Sequence, residues 1–254
     1  MKYFIVTKRS LFVSALVFLT AITVAAAFKG ERTVRVNASQ KRFIPIYCVQ
    51  TDEKKLAITF DAAWGADDTE QLIEILNKYN AKATFFVVGT WAEKNPDSVK
   101  AFFDTGHEIA NHSYNHTLYS KLSKEEISAD IEKCNGIIQD ITGERPALLR
   151  APSGDYTDSS ETAAKELNMC TVQWSVDSLD WKGLSSEEIE KRVINAAGNG
   201  SIILFHNDVK NTPAALDNIL SELSEKGYSF VSVSELIYKE NYKIDSAGRQ
   251  IKGE

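Results

Sequence analysis

The sequence predicts an α/β fold built on a mostly parallel sheet, and three observations predict it. Short apolar runs alternate with amphipathic stretches through residues 55–240. Two of those stretches open on a Ser followed three residues later by Glu, at Ser123 and Glu126 and at Ser185 and Glu188. That spacing lets the two side chains cap each other's backbone amides at a helix start. The unusual polar residues fall just after apolar runs, where parallel α/β folds gather their chemistry.

Taken in order, residues 1–28 hold three charges, Lys2, Lys8 and Arg9, followed by an uncharged apolar run over 10–28. The run is long enough to cross a bilayer, and the basic pair before it favours a cytoplasmic N-terminus. Ala25-Ala26-Ala27 offers a cleavage site instead, so this segment is expected to be a signal peptide or a single transmembrane anchor, leaving an exported body that is membrane-anchored or secreted. Residues 29–54 read as a stalk and a leading edge strand, with Pro45 arguing against a central one. Strands are then expected at 56–60, 83–88, 107–110, 147–150, 170–176, 201–205 and 228–231. Helices are expected at 68–79, 96–105, 123–141, 159–167, 186–197 and 213–224. Seven short strands with intervening helices fit a parallel sheet, either open or closed into a barrel. The charged, Gly-containing segment 241–254 is expected to fray.

Composition narrows the function. The chain has 254 residues, 43% of them hydrophobic, enough for one substantial core, and its three Cys are too few for a disulfide scaffold. Its net charge is −6 although the first 28 residues carry only positive charge, so the body is more acidic still. An acidic body is a poor match to a phosphate backbone, which excludes nucleic acid as a partner.

The polar residues at the strand ends are Asp61, His112, His116, Arg150, Asp177, Asp180 and His206. His112 and His116 are four apart and can face one point; neutral imidazoles so placed suit zinc or a similar first-row metal. His107, inside a short strand, reads as structural. Trp64 follows Asp61 beside Gly65 and is the best placed Trp to stack on a pyranose ring.

In these residues the chain resembles the polysaccharide deacetylase family, the carbohydrate esterase group with the NodB homology domain. Thr59-Phe60-Asp61, His112-Ser113-Tyr114-Asn115-His116, Arg150-Ala151-Pro152-Ser153-Gly154, Asp177-Ser178-Leu179-Asp180-Trp181 and Leu204-Phe205-His206 are similar to its five motifs and occur in family order. The anchored layout and Phe-Asp-Ala-Ala-Trp-Gly at 60–65 look most like a sporulation-associated branch. The resemblance implies a distorted (β/α)7 barrel and hydrolysis of N-acetyl groups on peptidoglycan amino sugars facing the cell wall or spore envelope. It implies Asp61 as base, oriented by Arg150, and one divalent metal on His112 and His116, zinc first, with cobalt, nickel or manganese as alternatives. It further implies His206 as acid, supported by Asp177 or Asp180, and an oxyanion site at Ser153 and Gly154. Leu204 would line the acetyl pocket, and Trp181 with Trp64 would bind sugar.

One departure stands out. The family motif carries a second carboxylate, a metal ligand, where this chain has Ala62. A methyl group cannot bind a metal. Asp67 or Asp68 folding back, or water in the vacant position, would leave a working site. Otherwise the chain is a degenerate deacetylase that binds cell-wall glycan with little or no catalysis. Chitin-like or O-acetylated polymer is a third substrate expectation.

Overall fold

The structure is a computed structural model and describes residues 43–253. The chain begins with β1 (Cys48–Val49) and β2 (Lys55–Ala62), then α1 (Thr69–Lys78), β3 (Ala83–Val87), α2 (Gly89–Lys94), α3 (Pro96–Asp104) and β4 (Glu108–Asn111). It continues through α4 (Lys124–Thr142), β5 (Leu148–Leu149), α5 (Asp158–Glu166), β6 (Cys170–Thr171), β7 (Val176–Asp177), α6 (Ser186–Ala196) and β8 (Ile202–His206). Helix α7 (Thr212–Glu225), β9 (Ser229–Phe230), α8 (Val233–Leu236), β10 (Tyr242–Ile244) and β11 (Arg249–Lys252) complete it. The predicted boxes at Ser123–Glu126 and Ser185–Glu188 both form, each Ser accepting from its Glu amide and each Glu reaching back.

The main sheet is parallel and curls into an open half-barrel, in the order β6-β5-β4-β3-β2-β8-β7, with β9 beside the start of β2. Strand β2 lies inside it, between β3 and β8, and is buried on both faces, as a parallel strand between two layers must be. Leu56, Ile58 and Phe60 pack toward the helices, where Phe60 stacks on Phe85 at 4.9 Å and Phe85 on Phe102. Fully burying one such ring contributes about 2–3 kcal/mol. The alternate residue Ala57 packs inside the curl with Ile46, Phe86, Ala110, Leu148, Val172 and Ile202. The inner face thus passes from Ala57 at the bottom through Thr59 to Asp61 at the top, aliphatic floor to polar rim.

Three expectations change. The run at 170–176 is two strands, β6 and β7, on opposite edges of the sheet, joined by a segment that crosses the gap between them. Ile46 secures that crossing, donating to Thr171 O and accepting from the Gln173 amide. The segment beyond 241 pairs instead of fraying: β10 and β11 form an antiparallel hairpin whose inner strand runs parallel to β1. The membrane-anchored body is also corrected. Among the described residues no helix is long and apolar enough to cross a membrane, and the apolar segment 10–28 lies outside the described residues. Helix α4, with 19 residues, is two-faced, carrying Glu125, Glu132 and Lys133 opposite its buried Ile127, Ile131 and Ile138.

Helix α5 contributes a buried acid. Glu161 accepts from Thr171 Oγ1 through Oε2, while its Oε1 is buried without a partner. Burial pushes its carboxyl from the ordinary 4.5 up to about 7. The folded state therefore holds this proton where the unfolded chain has released it, and stability falls as pH rises between those values. Glu161→Gln is expected to stabilise the protein by about 2–3 kcal/mol at pH 8 and by little at pH 4.5. Urea unfolding at the two pH values measures this; equal effects at both would remove Glu161 as the cause.

Candidate functional site

Register builds the site. In the parallel sheet Asp61 lies opposite His206 of β8, so both side chains rise from one level on the inner face. On the other flank His112 follows β4 and Arg150 follows β5, with Asn111 and Leu149 in register. Motifs far apart in sequence thus become spatial neighbours around the carboxyl ends of four strands.

Two buried charge pairs form there. Arg150, fully buried, donates from Nη1 to Asp61 Oδ1 at 2.7 Å and to Thr59 Oγ1 at 3.0 Å, and from Nη2 to Gln173 O at 3.1 Å. Its guanidinium lies 3.9 Å from the centre of the Phe86 ring. Burial alone would raise the Asp61 carboxyl, but the neighbouring His112, Arg150 and His206 side chains hold it below its ordinary value. In the second pair, Asp180 Oδ1 meets His206 Nδ1 at 2.8 Å. Asp180 Oδ2 accepts from the His206 amide and Thr212 Oγ1, and Oδ1 also accepts from the Trp181 amide. Burial would lower the His206 pKa, but the bond to Asp180 and the nearby carboxylates outweigh it and raise it. The imidazolium form is therefore more favoured than in a free imidazole.

Asp177 is placed elsewhere. Its Oδ1 accepts from the Leu179 amide and its carbonyl from Arg192 Nε, and it acts on His206 only through its charge. Leu179, in the left-handed conformation at φ 54°, turns the chain so that the later carboxylate, Asp180, reaches the ring. Ser153 and Gly154 both have positive φ, and a Cβ at Gly154 would come within 3.3 Å of Gln173 and Trp174. The Gly154 amide is spent on Ala151 O. Leu204 is buried two residues before His206, on the same side of β8. Trp64 and Trp181 are both more than half exposed, and the Trp64 ring lies 5.6 Å from that of His206. Thr59, Gln173 and Thr212 have contacts that sequence reasoning missed. Thr59 was findable, two residues before Asp61 and so on its face of the strand; Thr212, at the start of α7, reaches Asp180 from beyond α6 and β8 and left no local signal.

The imidazoles of His112 and His116 are 5.0 Å apart between ring centres. His112 Nδ1 lies 2.9 Å from Arg150 O, an acceptor, so Nδ1 carries the proton and Nε2 keeps its lone pair, 3.3 Å from Asp61 Oδ2. Burial lowers the pKa of both rings, that of His112 to about 4. These neutral rings are two donors without a third: Asp61 is held by Arg150, and position 62 is a buried methyl. Asp68 does not supply one: it is turned to the loop after β8, where its Oδ2 accepts from the Asp208 amide. Among the described residues no group of three or more His, Cys, Asp or Glu is arranged to hold a metal ion. The residues present do not fit a resident metal. A concavity of about 490 Å³ lies at the opposite pole of the sheet, around Lys82, His107 and Arg145, and is lined by none of these pairs. His107 there accepts from the Ala83 amide, and burial lowers its pKa to about 4.

The polysaccharide deacetylase profile matches residues 49–172. A peptidoglycan-N-acetylglucosamine deacetylase of Bacillus cereus is 40% identical over 194 residues, covering 74% of this chain and 91% of that protein. The chain belongs to the polysaccharide deacetylase family. The uncharacterized protein YlxY of Bacillus subtilis is 36% identical over 76% of this chain, which spans 60% of YlxY. Among solved structures, BA3943 of Bacillus anthracis, described as a CE4 family pseudoenzyme, superposes with a TM-score of 0.73 at 34% identity, covering 76% of this chain and 68% of that one. A BA3943 mutant with restored enzymatic activity is equally similar, at TM-score 0.73 and 35% identity. The polysaccharide deacetylase family therefore includes active deacetylases and a pseudoenzyme, and these relatives single out no sporulation-associated branch.

Proposed function

We propose that the chain binds peptidoglycan-type glycan across the strand ends and removes N-acetyl groups with little or no turnover. The observation that carries this reading is Ala62, a buried methyl in the place where the family motif has a carboxylate. The likeness to the pseudoenzyme BA3943 supports it. Trp64 and Trp181 are exposed on the rim beside His206 and Asp180, and supply apolar faces for sugar rings. An acidic protein gains no attraction to anionic polymer, so stacking and hydrogen bonds must carry the affinity.

The test is saturable binding to insoluble peptidoglycan and to N-acetylglucosamine oligomers, with acetate release followed in the same samples with and without added zinc. Binding with acetate at background is expected. Trp64→Ala is expected to weaken binding about two- to tenfold, the range for loss of one aromatic contact; an unchanged affinity would move the glycan away from Trp64. Zinc-stimulated acetate release would favour a second reading. That reading is metal-dependent N-deacetylation with Asp61 as base and His206 as acid, and the intact Asp61–Arg150 and Asp180–His206 pairs favour it.

A further inference from the structure

One seam near the rim gathers oxygen-bearing side chains without a cation to balance them. Residues 63–68, after β2, lie against residues 207–211, after β8. Asn207 Nδ2 and Trp91 Nε1 both donate to Gly65 O. The Asp208 amide donates to Asp68 Oδ2 at 2.7 Å. The Asp208 carboxylate rests against Gly65, where any Cβ would overlap it. These contacts place the heads of Asp68, Asn207 and Asp208 in the same seam.

Two of those heads are incomplete. Asp68 and Asn207 are 9% and 1% exposed, and Oδ1 of each is buried with no hydrogen-bond partner. Native proteins rarely leave such acceptors unsatisfied, and a bound ion or water is one reason when they do. Neither Asp68 nor Asp208 pairs with a Lys, Arg or His among the described residues. Burial, then the charges of Asp208 and Asp67, pushes the Asp68 carboxyl up to about 6, the behaviour of a negative site lacking its counter-ion. Asp208 is exposed, which gives an ion a path in and leaves room for water ligands.

We propose that Asp68 Oδ1, Asn207 Oδ1 and the Asp208 carboxylate hold a hard divalent cation, calcium or magnesium, that ties the loop carrying Trp64 to the one following His206. Oxygen-only donors select such ions and set the site apart from the imidazoles of His112 and His116, which suit zinc. The ion would bridge two loops that hydrogen bonds already join, fixing Trp64 relative to the His206 ring. Cation uptake is read without glycan, so it and the glycan-binding proposal can fail separately.

The full chain, stripped with chelator, is titrated with calcium chloride and with magnesium chloride by calorimetry and thermal unfolding. One equivalent is expected to bind and to raise Tm by about 2–4 °C. Asp208→Asn, an exposed change, is expected to weaken binding at least about tenfold through loss of a charged ligand, while His116→Ala leaves it unchanged. No uptake of either ion, or the same affinity in Asp208→Asn, overturns the proposal. Asp68→Asn provides a second arm: loss of cation response is expected. A higher Tm with no cation response in either protein would instead identify a seam filled by water around a protonated Asp68.

Discussion

Ala62→Asp is expected to turn a protein indifferent to zinc into one whose stability depends on it, and to bring acetate release above background. The geometry gives both signs. Ala62 ends β2 and is fully buried, in the cluster that includes Phe60, Val87 and Val88. A carboxylate placed there without a partner is an uncompensated buried charge, so the metal-free variant should be less stable by several kcal/mol. Hydrogen bonds carry the level of position 62 across β3 to the histidine pair: the Val88 amide donates to Ala62 O, and the His112 amide to Val87 O. A carboxylate turned that way would join two neutral imidazoles and make the three-residue set typical of a catalytic zinc site. At a zinc concentration one hundred times the dissociation constant, the recovered stability is about 2.7 kcal/mol. Thermal unfolding of both proteins with and without zinc measures it, alongside acetate release from peptidoglycan. A variant that loses stability and never regains it with zinc would show that the His112 and His116 rings cannot complete a site, and the loss of a carboxylate would no longer account for low activity. A BA3943 mutant with restored enzymatic activity shows that a pseudoenzyme of this family can be made active.

Much of this was legible because it is local. Capping boxes declare themselves in four residues, so the starts of α4 and α6 fall where Ser123 and Ser185 put them. Burial on both faces of β2 follows from its run before Asp61, Leu56 to Phe60, apolar but for Thr59. What stayed hidden is long-range. The parallel register that sets Asp61 opposite His206 joins residues far apart in sequence. Asp177 and Asp180 follow the same apolar run, and only the left-handed turn at Leu179 separates their roles. The C-terminal hairpin has a polar, tail-like composition, but Gln250 is fully buried and exchanges two hydrogen bonds with the Tyr238 backbone, while β11 finds β1 across the chain. The run at 170–176 looks like one strand because no Pro or Gly marks its break; the two ends part because they pair with β5 and β8 on opposite edges.

The Asp61–Arg150 pair is expected to be worth more to the fold when broken than when replaced. Arg150 has no contact with solvent, and its carbonyl fixes His112 while its guanidinium is shared among Asp61, Thr59 and Gln173. Its Nε is buried without a partner, so the group already sits under-compensated. Asp61→Ala leaves that cation alone in the core and should cost about 3–5 kcal/mol in urea unfolding. Arg150→Lys should also destabilise, because an ammonium cannot reach three acceptors in one plane or lie flat on Phe86. The double variant Asp61→Ala with Arg150→Met should lose less than Asp61→Ala alone, since an apolar chain of similar length needs no counter-charge. Acid adds an independent check. Because the Asp61 carboxyl titrates below its ordinary value in the fold, its contribution is present above that ordinary value and is lost as pH falls through the folded one. The wild type should therefore lose its advantage over the double variant on the acid limb, below about pH 4. An advantage unchanged down to pH 2 would mean that Asp61 is not ionised in the folded protein, and it could then be neither the partner of Arg150 nor a base.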